Sequence, residues 1–165
     1  MKETLQDLKT RRSCRKYRQE QIKEEELQAI LEAGTYAPTG MGAQSPIMVV
    51  VQDKKVRDYL SSLNARELGS DTDPFYGAPT VIVVLADRSR RTYVDDGNMV
   101  IANILNAAHA VGVDSCYIYR AREVFNTDEG KELLETWGVH GDYEGIGNVI
   151  LGYAVSYTHL TLPTT

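Results

Sequence analysis

The stretch that decides the fold covers residues 79–119 and reads PTVIVVLADRSRRTYVDDGNMVIANILNAAHAVGVDSCYIY. Residues 79–86 form an apolar run of strand length, and residues 113–119 form a second one. Between them, residues 93–111 predict the longest helix of the chain, which begins at two aspartates and ends before Gly112. Because this helix lacks a broad polar face, we expect it to be buried in a core or in a subunit interface.

The rest of the chain continues this alternation of helices and strands. Apolar residues at helical spacing predict helices, and short apolar runs bounded by Gly, Pro or Asp predict strands. The further predicted elements are helices over residues 2–9, 23–36 and 53–63, a loop over 64–73, helical segments over 122–125 and 128–137, and strands over 47–52 and 148–153. The alternation predicts an α/β or α+β class in which helices cover a sheet.

Length and composition limit the function classes. The 165 residues suffice for one domain with a proper core. The net charge of −5 argues against nucleic acid as the main partner, because phosphate backbones favour a basic surface. The two cysteines, Cys14 and Cys116, have no metal-ligand spacing and are expected to be reduced and structural. Since no run is long enough to span a membrane and no secretory signal is recognisable, we expect a cytoplasmic protein without a membrane partner.

A basic run stands out in this acidic chain directly after the first predicted helix. Arg11, Arg12, Ser13 and Arg15 fall within five residues. Guanidiniums this close repel one another, and their planar forks match the oxygens of a phosphate, so the run predicts a local anion site. On spacing alone, a solvated basic turn explains the same residues equally well.

The sequence offers no self-sufficient catalytic set. It contains no Walker loop, no GxSxG elbow, no HExxH motif and no Cys/His cluster. The three histidines are dispersed, and the Gly40-x-Gly42 pair follows a helix instead of a strand, which excludes a dinucleotide fingerprint. We therefore predict no catalytic side chain and no metal ligands, and an enzyme with this sequence would rely on a cofactor for its chemistry.

Several segments in this order resemble the FMN-dependent nitroreductase family, and the resemblance covers residues 2 to about 154. The matching segments are Arg11-Arg12-Ser13-x-Arg15, Ala37-Pro38-Thr39-Gly40-x-x-x-Gln44-Ser45-Pro46, Ala78-Pro79, Asp95-Asp96-Gly97 and Gly147-x-x-Ile150-x-Gly152-Tyr153. The resemblance implies an α+β fold of three layers (α/β/α), with a central mixed sheet flanked by helices. It also implies a homodimer with FMN at the interface.

The resemblance further implies which residues bind FMN. Arg11 and Ser13 would hold the phosphate with support from Arg12. Arg15 would reach the N1/O2 edge of the flavin, where negative charge develops on reduction, and would tune the cofactor there. The other implied contacts are Pro38, Thr39, Gly40 and Met41, toward the flavin of the partner subunit, then Asn64, and the backbone of Ile118, Tyr119 and Arg120. From local sequence alone, Asn64 is equally well a helix C-cap.

The activity that the resemblance implies is hydride transfer from NADH or NADPH, through FMN, to a nitroaromatic, quinone or similar electron-poor acceptor with ping-pong kinetics. The alternative, from a different function class, is a non-catalytic FMN-binding or redox-sensing protein. An unrelated α/β domain that binds another phosphorylated ligand at the Arg cluster is the third hypothesis.

The last eleven residues change character abruptly. Residues 155–165 carry no Asp, Glu, Lys or Arg and are rich in threonine. In relatives the chain after Gly-Tyr carries cations that close over the phosphate. We therefore expect residues 1–154 to form the FMN-binding domain and residues 155–165 to be a non-native tail, with FMN held less tightly than in relatives.

Overall fold

The computed structural model describes residues 2–156. Helices and strands alternate as the sequence predicts. The elements are α1 (Glu3–Thr10), α2 (Glu24–Thr35), a 3-10 turn (Gly40–Gly42), β1 (Ile47–Val51), α3 (Lys54–Leu68), β2 (Thr80–Asp87), α4 (Tyr93–Ala110), β3 (Asp114–Ile118), α5 (Ala121–Phe125), α6 (Asp128–Thr136) and β4 (Tyr143–Gly152).

The four strands form one sheet in the order β1-β2-β4-β3. All three strand pairs are antiparallel. Among the described residues, parallel pairing is confined to an isolated bridge between Ser13 and Ser115. The expected mixed sheet is therefore corrected to an antiparallel sheet with one parallel bridge at its edge. The parallel component is this small because the N-terminal segment adds a single residue pair to β3 instead of a full parallel strand.

Helices cover both faces of the sheet, which confirms the three-layer α+β architecture. Val81, Val83 and Leu85 of β2 point to one face, where they pack with apolar residues of α3, α5 and α6. Ile82 and Val84 point to the opposite face, where α2 and α4 pack. Alternate residues of a strand face opposite sides, so a continuous apolar run is what a strand covered on both faces requires.

The long helix α4 is amphipathic within this layer. Val100, Ile101 and Ile104 are buried against the sheet, while Val94 and Met99 keep about two fifths of their surface exposed. Within residues 2–156, neither α4 nor any other helix combines the length and the apolar character needed to cross a bilayer.

Two elements are longer than the sequence predicts. Helix α3 runs to Leu68 because Gly69, with φ 77°, supplies the left-handed cap at which a helix ends. The interpretation of Asn64 as a C-cap is therefore wrong. Strand β4 begins at Tyr143 and includes Gly145 and Gly147. Both positions need glycine, because a Cβ would be only 2.5 Å from the Ala121 carbonyl oxygen or 2.7 Å from the Tyr117 ring.

The predicted tail over residues 155–165 lies outside the described residues from position 157 onward. Val155 donates its N–H to the Lys16 carbonyl (3.2 Å), which continues the pairing of Tyr17 with Ala154. The N-terminal segment and the end of β4 therefore hold each other at the edge of the sheet.

Candidate functional site

The basic run lies against the exposed edge of β3. Ser13 forms the bridge with Ser115, and the Cys14 N–H donates to the Ser115 carbonyl oxygen (2.9 Å). Cys14 turns its side chain toward the core, where burial raises the pKa of its thiol. The backbone of the run is therefore fixed by the sheet, while Ser13 and its flanking arginines are half-buried or exposed.

The arginines of the run differ in their partners. Arg12 donates from Nη1 to the carbonyl oxygens of Lys9 (2.9 Å) and Arg11 (2.8 Å), so its guanidinium satisfies the end of α1. The guanidiniums of Arg11 and Arg15 have no carboxylate or carbonyl partner within residues 2–156, and neither has the Ser13 hydroxyl. Two uncompensated cations and a hydroxyl beside a sheet edge can receive an anion from solution.

At the far end of β3, three of the predicted residues form one hydrogen-bonded group. The buried Asn64 donates from Nδ2 to the Tyr119 carbonyl oxygen (2.9 Å), and its Oδ1 accepts from Arg120 Nε (2.9 Å). Asn64 reaches this position because it lies inside α3, which packs over the end of β3. Both polar atoms of its amide are used within the chain, and a direct contact with flavin stays a prediction.

The backbone at Arg120 has an uncommon conformation. Arg120 adopts φ 77° and ψ 13°, a left-handed geometry that a residue with a Cβ enters at a cost of about 1–2 kcal/mol. Within the described residues, the N–H groups of Tyr119 and Arg120 have no acceptor. Ile118, Tyr119 and Arg120 thus present two unused backbone donors just where β3 leaves the sheet, as a ligand contact at this turn would require.

The loop with the remaining predicted residues is anchored to the start of α4. The Gly40 N–H donates to Asp96 Oδ1 (2.9 Å), and the Thr39 hydroxyl accepts from the Gln44 N–H (2.9 Å). A Cβ at Gly40 would lie 2.2 Å from Thr92 Oγ1. Glycine is therefore required here by contact with the start of α4 in the same chain. Pro38 is exposed, and Met41 is 96% exposed.

Within one chain, this loop and the Arg cluster do not come together. The loop contacts Asp96 in the first turn of α4, whereas Thr10, next to Arg11, is hydrogen-bonded to His109 in the last turn (2.8 Å). Thirteen residues of helix separate these two points by about 20 Å. The Arg cluster and the end of β3 are closer, because Ser115 and Ile118 are about 10 Å apart along one strand.

Sequence analysis missed two buried polar residues of this region. Asp96 (4% exposed) also accepts from the Thr92 hydroxyl (2.8 Å) and so holds the loop to α4. Asn148 (1% exposed) lies in β4 and donates from Nδ2 to the Ile118 carbonyl oxygen (3.3 Å). The Asp95-Asp96 pair could have indicated Asp96 as a functional residue. A polar Asn148 within an apolar strand could likewise have indicated a functional residue, but apolar periodicity alone does not single it out.

The largest cavity described lies elsewhere. It encloses about 880 Å³ between α3 and the loop over residues 70–79. Of its two arginines, Arg57 is bound to Asp73 (2.6 Å) and to the Ala78 carbonyl oxygen (2.8 Å), so its charge is compensated inside the chain. Within residues 2–156, no group of three His, Cys, Asp or Glu side chains is arranged to hold a metal ion.

Comparison with known proteins identifies the family. Residues 8–72 match the sequence profile of the nitroreductase family. Over 159 residues the chain is 31% identical to a protein of Archaeoglobus fulgidus provisionally named NADH dehydrogenase/NAD(P)H nitroreductase, and the alignment covers 93% of this chain and 86% of that protein. The chain belongs to the nitroreductase family.

Other nitroreductase-family proteins extend the likeness. The solved structure of a nitroreductase with bound FMN from Bacteroides fragilis superposes with a TM-score of 0.88 at 30% identity, covering 100% of this chain and 95% of that one. An FMN reductase (NAD(P)H) of Bacillus subtilis is 29% identical over 119 residues, which are 70% of this chain and 46% of that enzyme. The chain therefore spans less than half of that reductase. The predicted nitroreductase-like fold is confirmed.

Proposed function

We propose that this nitroreductase-family chain binds FMN and passes hydride from NADH or NADPH to a small electron-poor acceptor such as a nitroaromatic or a quinone. The observation that carries the proposal is the pair of uncompensated guanidiniums, Arg11 and Arg15, at the edge of β3 in an acidic chain. The names of the relatives, which include a nitroreductase with bound FMN and an FMN reductase, support the same reaction class.

The residues present fit FMN. Its phosphate needs cationic and hydroxyl donors, which Arg11 and Ser13 supply, with Arg12 nearby. Its flavin ring needs donors at the edge that gains negative charge, and Arg15 and the unused N–H groups of Tyr119 and Arg120 are of that kind. The 10 Å between Ser115 and Ile118 along β3 suit an elongated ligand with a phosphate at one end (an estimate from about 3.3 Å per residue).

FMN, when bound, supplies the redox chemistry, accepting a hydride from one substrate and giving it to the next. The side chains would bind and orient the cofactor, and no dedicated acid or base is assigned. Because donor and acceptor would use the same cleft in turn, we propose a ping-pong order. Arg15 would favour the reduced cofactor by placing a fixed cation near its N1/O2 edge.

We also propose that the working unit is a homodimer. Helix α1 has no buried residue, and its Leu5 and Leu8 are about half exposed, so a second chain would cover an apolar face that one chain leaves open. Pairing would also explain the exposed Met41: the loop of Pro38, Thr39, Gly40 and Met41, distant from its own Arg cluster, would reach the flavin held by the other chain. Gel filtration with light scattering would measure the dimer.

Two further parts of the proposal concern where the protein acts in the cell and which residues form its functional domain. We propose that the enzyme acts in the cytoplasm on small molecules, without nucleic acid or membrane partners. We further propose that residues 1–154 form the functional domain, that Val155 only extends its pairing with Lys16, and that residues 156–165 contribute nothing to FMN binding. Deleting residues 156–165 should leave FMN affinity unchanged.

The decisive experiment uses the purified full chain. After addition of FMN and removal of the excess, the visible absorbance of bound flavin is recorded, and NADH or NADPH is then added without oxygen. Rapid bleaching, followed by recovery with a quinone or nitroaromatic, is the expected result, and initial rates should give parallel double-reciprocal lines. Bound flavin that neither nucleotide bleaches would instead indicate a binding or redox-sensing protein, and a chain that takes up no FMN would contradict the proposal altogether.

A further inference from the structure

Two buried amide side chains hold the end of β3. Asn64 comes from α3 and donates to the Tyr119 carbonyl oxygen (2.9 Å). Asn148 comes from β4 and donates to the Ile118 carbonyl oxygen (3.3 Å). Each asparagine is only 1% exposed, and they bind the carbonyl groups of two successive residues. Side chains from two different elements thus converge on one short piece of backbone.

The position of Asn148 is unfavourable for packing alone. Its strand neighbours are Ile118 on β3 and Val83 on β2, and β4 continues into the apolar residues Val149 and Ile150. Asn148 Oδ1 is buried without a hydrogen-bond partner within the described residues. A buried acceptor without a partner carries a desolvation penalty that a valine of similar size would not have. A role for the donating half of this amide would account for the residue.

The geometry of the peptide group points to the orientation of backbone N–H groups as that role. In a planar trans peptide the C=O of one residue and the N–H of the next point in opposite directions. Holding the Ile118 carbonyl therefore aims the Tyr119 N–H, and holding the Tyr119 carbonyl aims the Arg120 N–H. These are the two backbone donors that lack an acceptor, and the left-handed conformation of Arg120 follows immediately. The two amides fix the direction of both donors before any ligand arrives.

We propose that Asn148 is a positioning residue for the cofactor, which acts with Asn64 to orient the N–H groups of Tyr119 and Arg120 toward the flavin ring. This inference rests on the proposed function, because it takes FMN as the ligand of those donors. Asn148 does not touch the cofactor itself. Its effect is to set the backbone direction, and preorganised donors stabilise charge that develops on a ligand without reorganising during the reaction.

The test replaces Asn148 by valine, which fits a buried strand and removes the orphaned Oδ1 together with the donor. In the apoprotein, the NMR order parameters (S²) of the Tyr119 and Arg120 N–H groups should fall from about 0.85, typical of a rigid backbone, toward about 0.6, because this turn loses one restraint. In the FMN-bound protein, reduced flavin should lose about tenfold in affinity relative to oxidised flavin, which lowers the two-electron midpoint potential by about 30 mV.

The matched control is Asn103→Leu. Asn103 also donates a side-chain amide to a backbone carbonyl, that of Ala33 (2.9 Å), but it joins α4 to α2. This variant should change the unfolding temperature without changing the potential or the order parameters of the Tyr119 and Arg120 N–H groups. If Asn148→Val changes only the unfolding temperature, as the control does, Asn148 is merely structural and the inference is wrong. Asn148→Ser, which also removes the long donor, replaces the valine variant if that one does not fold.

Failure of this inference is distinguishable from failure of the proposed function. A wild-type chain that takes up no FMN overturns both, because the donors then have no flavin to face. A wild-type chain that binds FMN, with an Asn148→Val variant of unaltered potential, overturns the positioning role alone. Lower order parameters at Tyr119 and Arg120 in the apoprotein, together with a lowered potential, support the positioning role.

Discussion

Arg57 and the pair Arg11 and Arg15 illustrate two opposite uses of the same side chain. The side chain of Arg57 is 9% exposed and donates to Asp73 (2.6 Å), Asp58 (3.1 Å) and the Ala78 carbonyl oxygen (2.8 Å). Arg11 and Arg15 lie at the sheet edge and have no such partners within residues 2–156. The Arg57 guanidinium makes its hydrogen bonds within the fold, whereas those of Arg11 and Arg15 remain available to a ligand.

We base the candidate site on donors that lack partners, and not on the size of a cavity. The cavity of about 880 Å³ is next to Arg57, where the charges already compensate each other. The Arg cluster has two cations and a hydroxyl without partners in the described residues, and the far end of β3 has two backbone donors without acceptors. The comparison predicts that the two regions respond differently to substitution: one through folding, the other through FMN.

The largest effect is expected from the double substitution Arg11→Ala and Arg15→Ala. Each charge-assisted hydrogen bond contributes about 1.5–3 kcal/mol, so losing two should weaken FMN binding by roughly 10²- to 10⁴-fold. The unfolding temperature of the apoprotein should hardly change, because neither guanidinium has a partner in the fold. Isothermal titration with FMN and thermal unfolding without FMN measure the two quantities.

Arg18→Ala is the matched control for that double variant. Arg18 is an exposed cation of the same segment, but it pairs with Glu20 (3.3 Å) and lies over the ring of Tyr153 (5.3 Å to the centroid). It should leave FMN affinity within about threefold, since only general electrostatic attraction is lost. Equal losses in the control and in the double variant would mean that the whole segment acts through general charge and that Arg11 and Arg15 have no special role.

The next largest effect is expected from Arg57→Met. Removing one partner of a buried ion pair typically costs 3–5 kcal/mol, and about 2–3 kcal/mol is expected here because Asp73 keeps 35% of its side chain exposed. Urea unfolding of the apoprotein measures the loss. Arg66→Ala, which breaks an exposed pair with Glu129, should cost much less. A variant as stable as the wild type would show that Arg57 is not held as tightly as its contacts indicate.

The same contrast explains how much was predictable from sequence. The helices and strands follow from apolar periodicity, and the basic run is a local pattern, so both were found. The Arg57–Asp73 pair was not, because a loop of irregular shape brings the two residues together. Helix α3 was predicted to end just before Asn64, which was one possible C-cap. The packing of Asn64 over the end of β3 is tertiary and was not visible in the sequence, whereas the true cap, Gly69, is a local signal that the prediction did not use. The separation of the Gly40 loop from the Arg cluster likewise depends on how α1 and α2 pack against α4.

A smaller effect is expected from pH through Asp73. Burial alone would raise the pKa of this carboxyl, but hydrogen bonds from Arg57, Ser61 and the N–H groups of Phe75 and Gly77 outweigh burial and lower it. A carboxyl with a lowered pKa stabilises the fold above its unfolded pKa, near pH 4, and this contribution is lost as pH falls through the folded value.

The unfolding free energies of the wild type and Asp73→Asn should therefore differ by a constant amount above about pH 5 and converge at lower pH. Urea unfolding at a series of pH values measures the difference. Asp71→Asn, in the same loop, controls for the loss of one negative charge. A difference that persists unchanged to acid pH would mean that Asp73 stabilises the loop by shape instead of charge.

The smallest effect concerns Arg120, which stands between the two classes of arginine. Its Nε is bound to Asn64, but its left-handed backbone is strained and its N–H is unused. Arg120→Ala keeps the strain and loses the hydrogen bond, whereas Arg120→Gly loses both, so the glycine variant should be more stable than the alanine variant by about 1 kcal/mol. Because the proposed flavin contact is the backbone N–H, both variants should retain FMN affinity within about threefold. Thermal unfolding and FMN titration of the two variants check this. A large loss of FMN affinity in both variants would mean that the guanidinium, and not the backbone N–H, contacts the cofactor. Arg120 would then be a third ligand-facing arginine alongside Arg11 and Arg15.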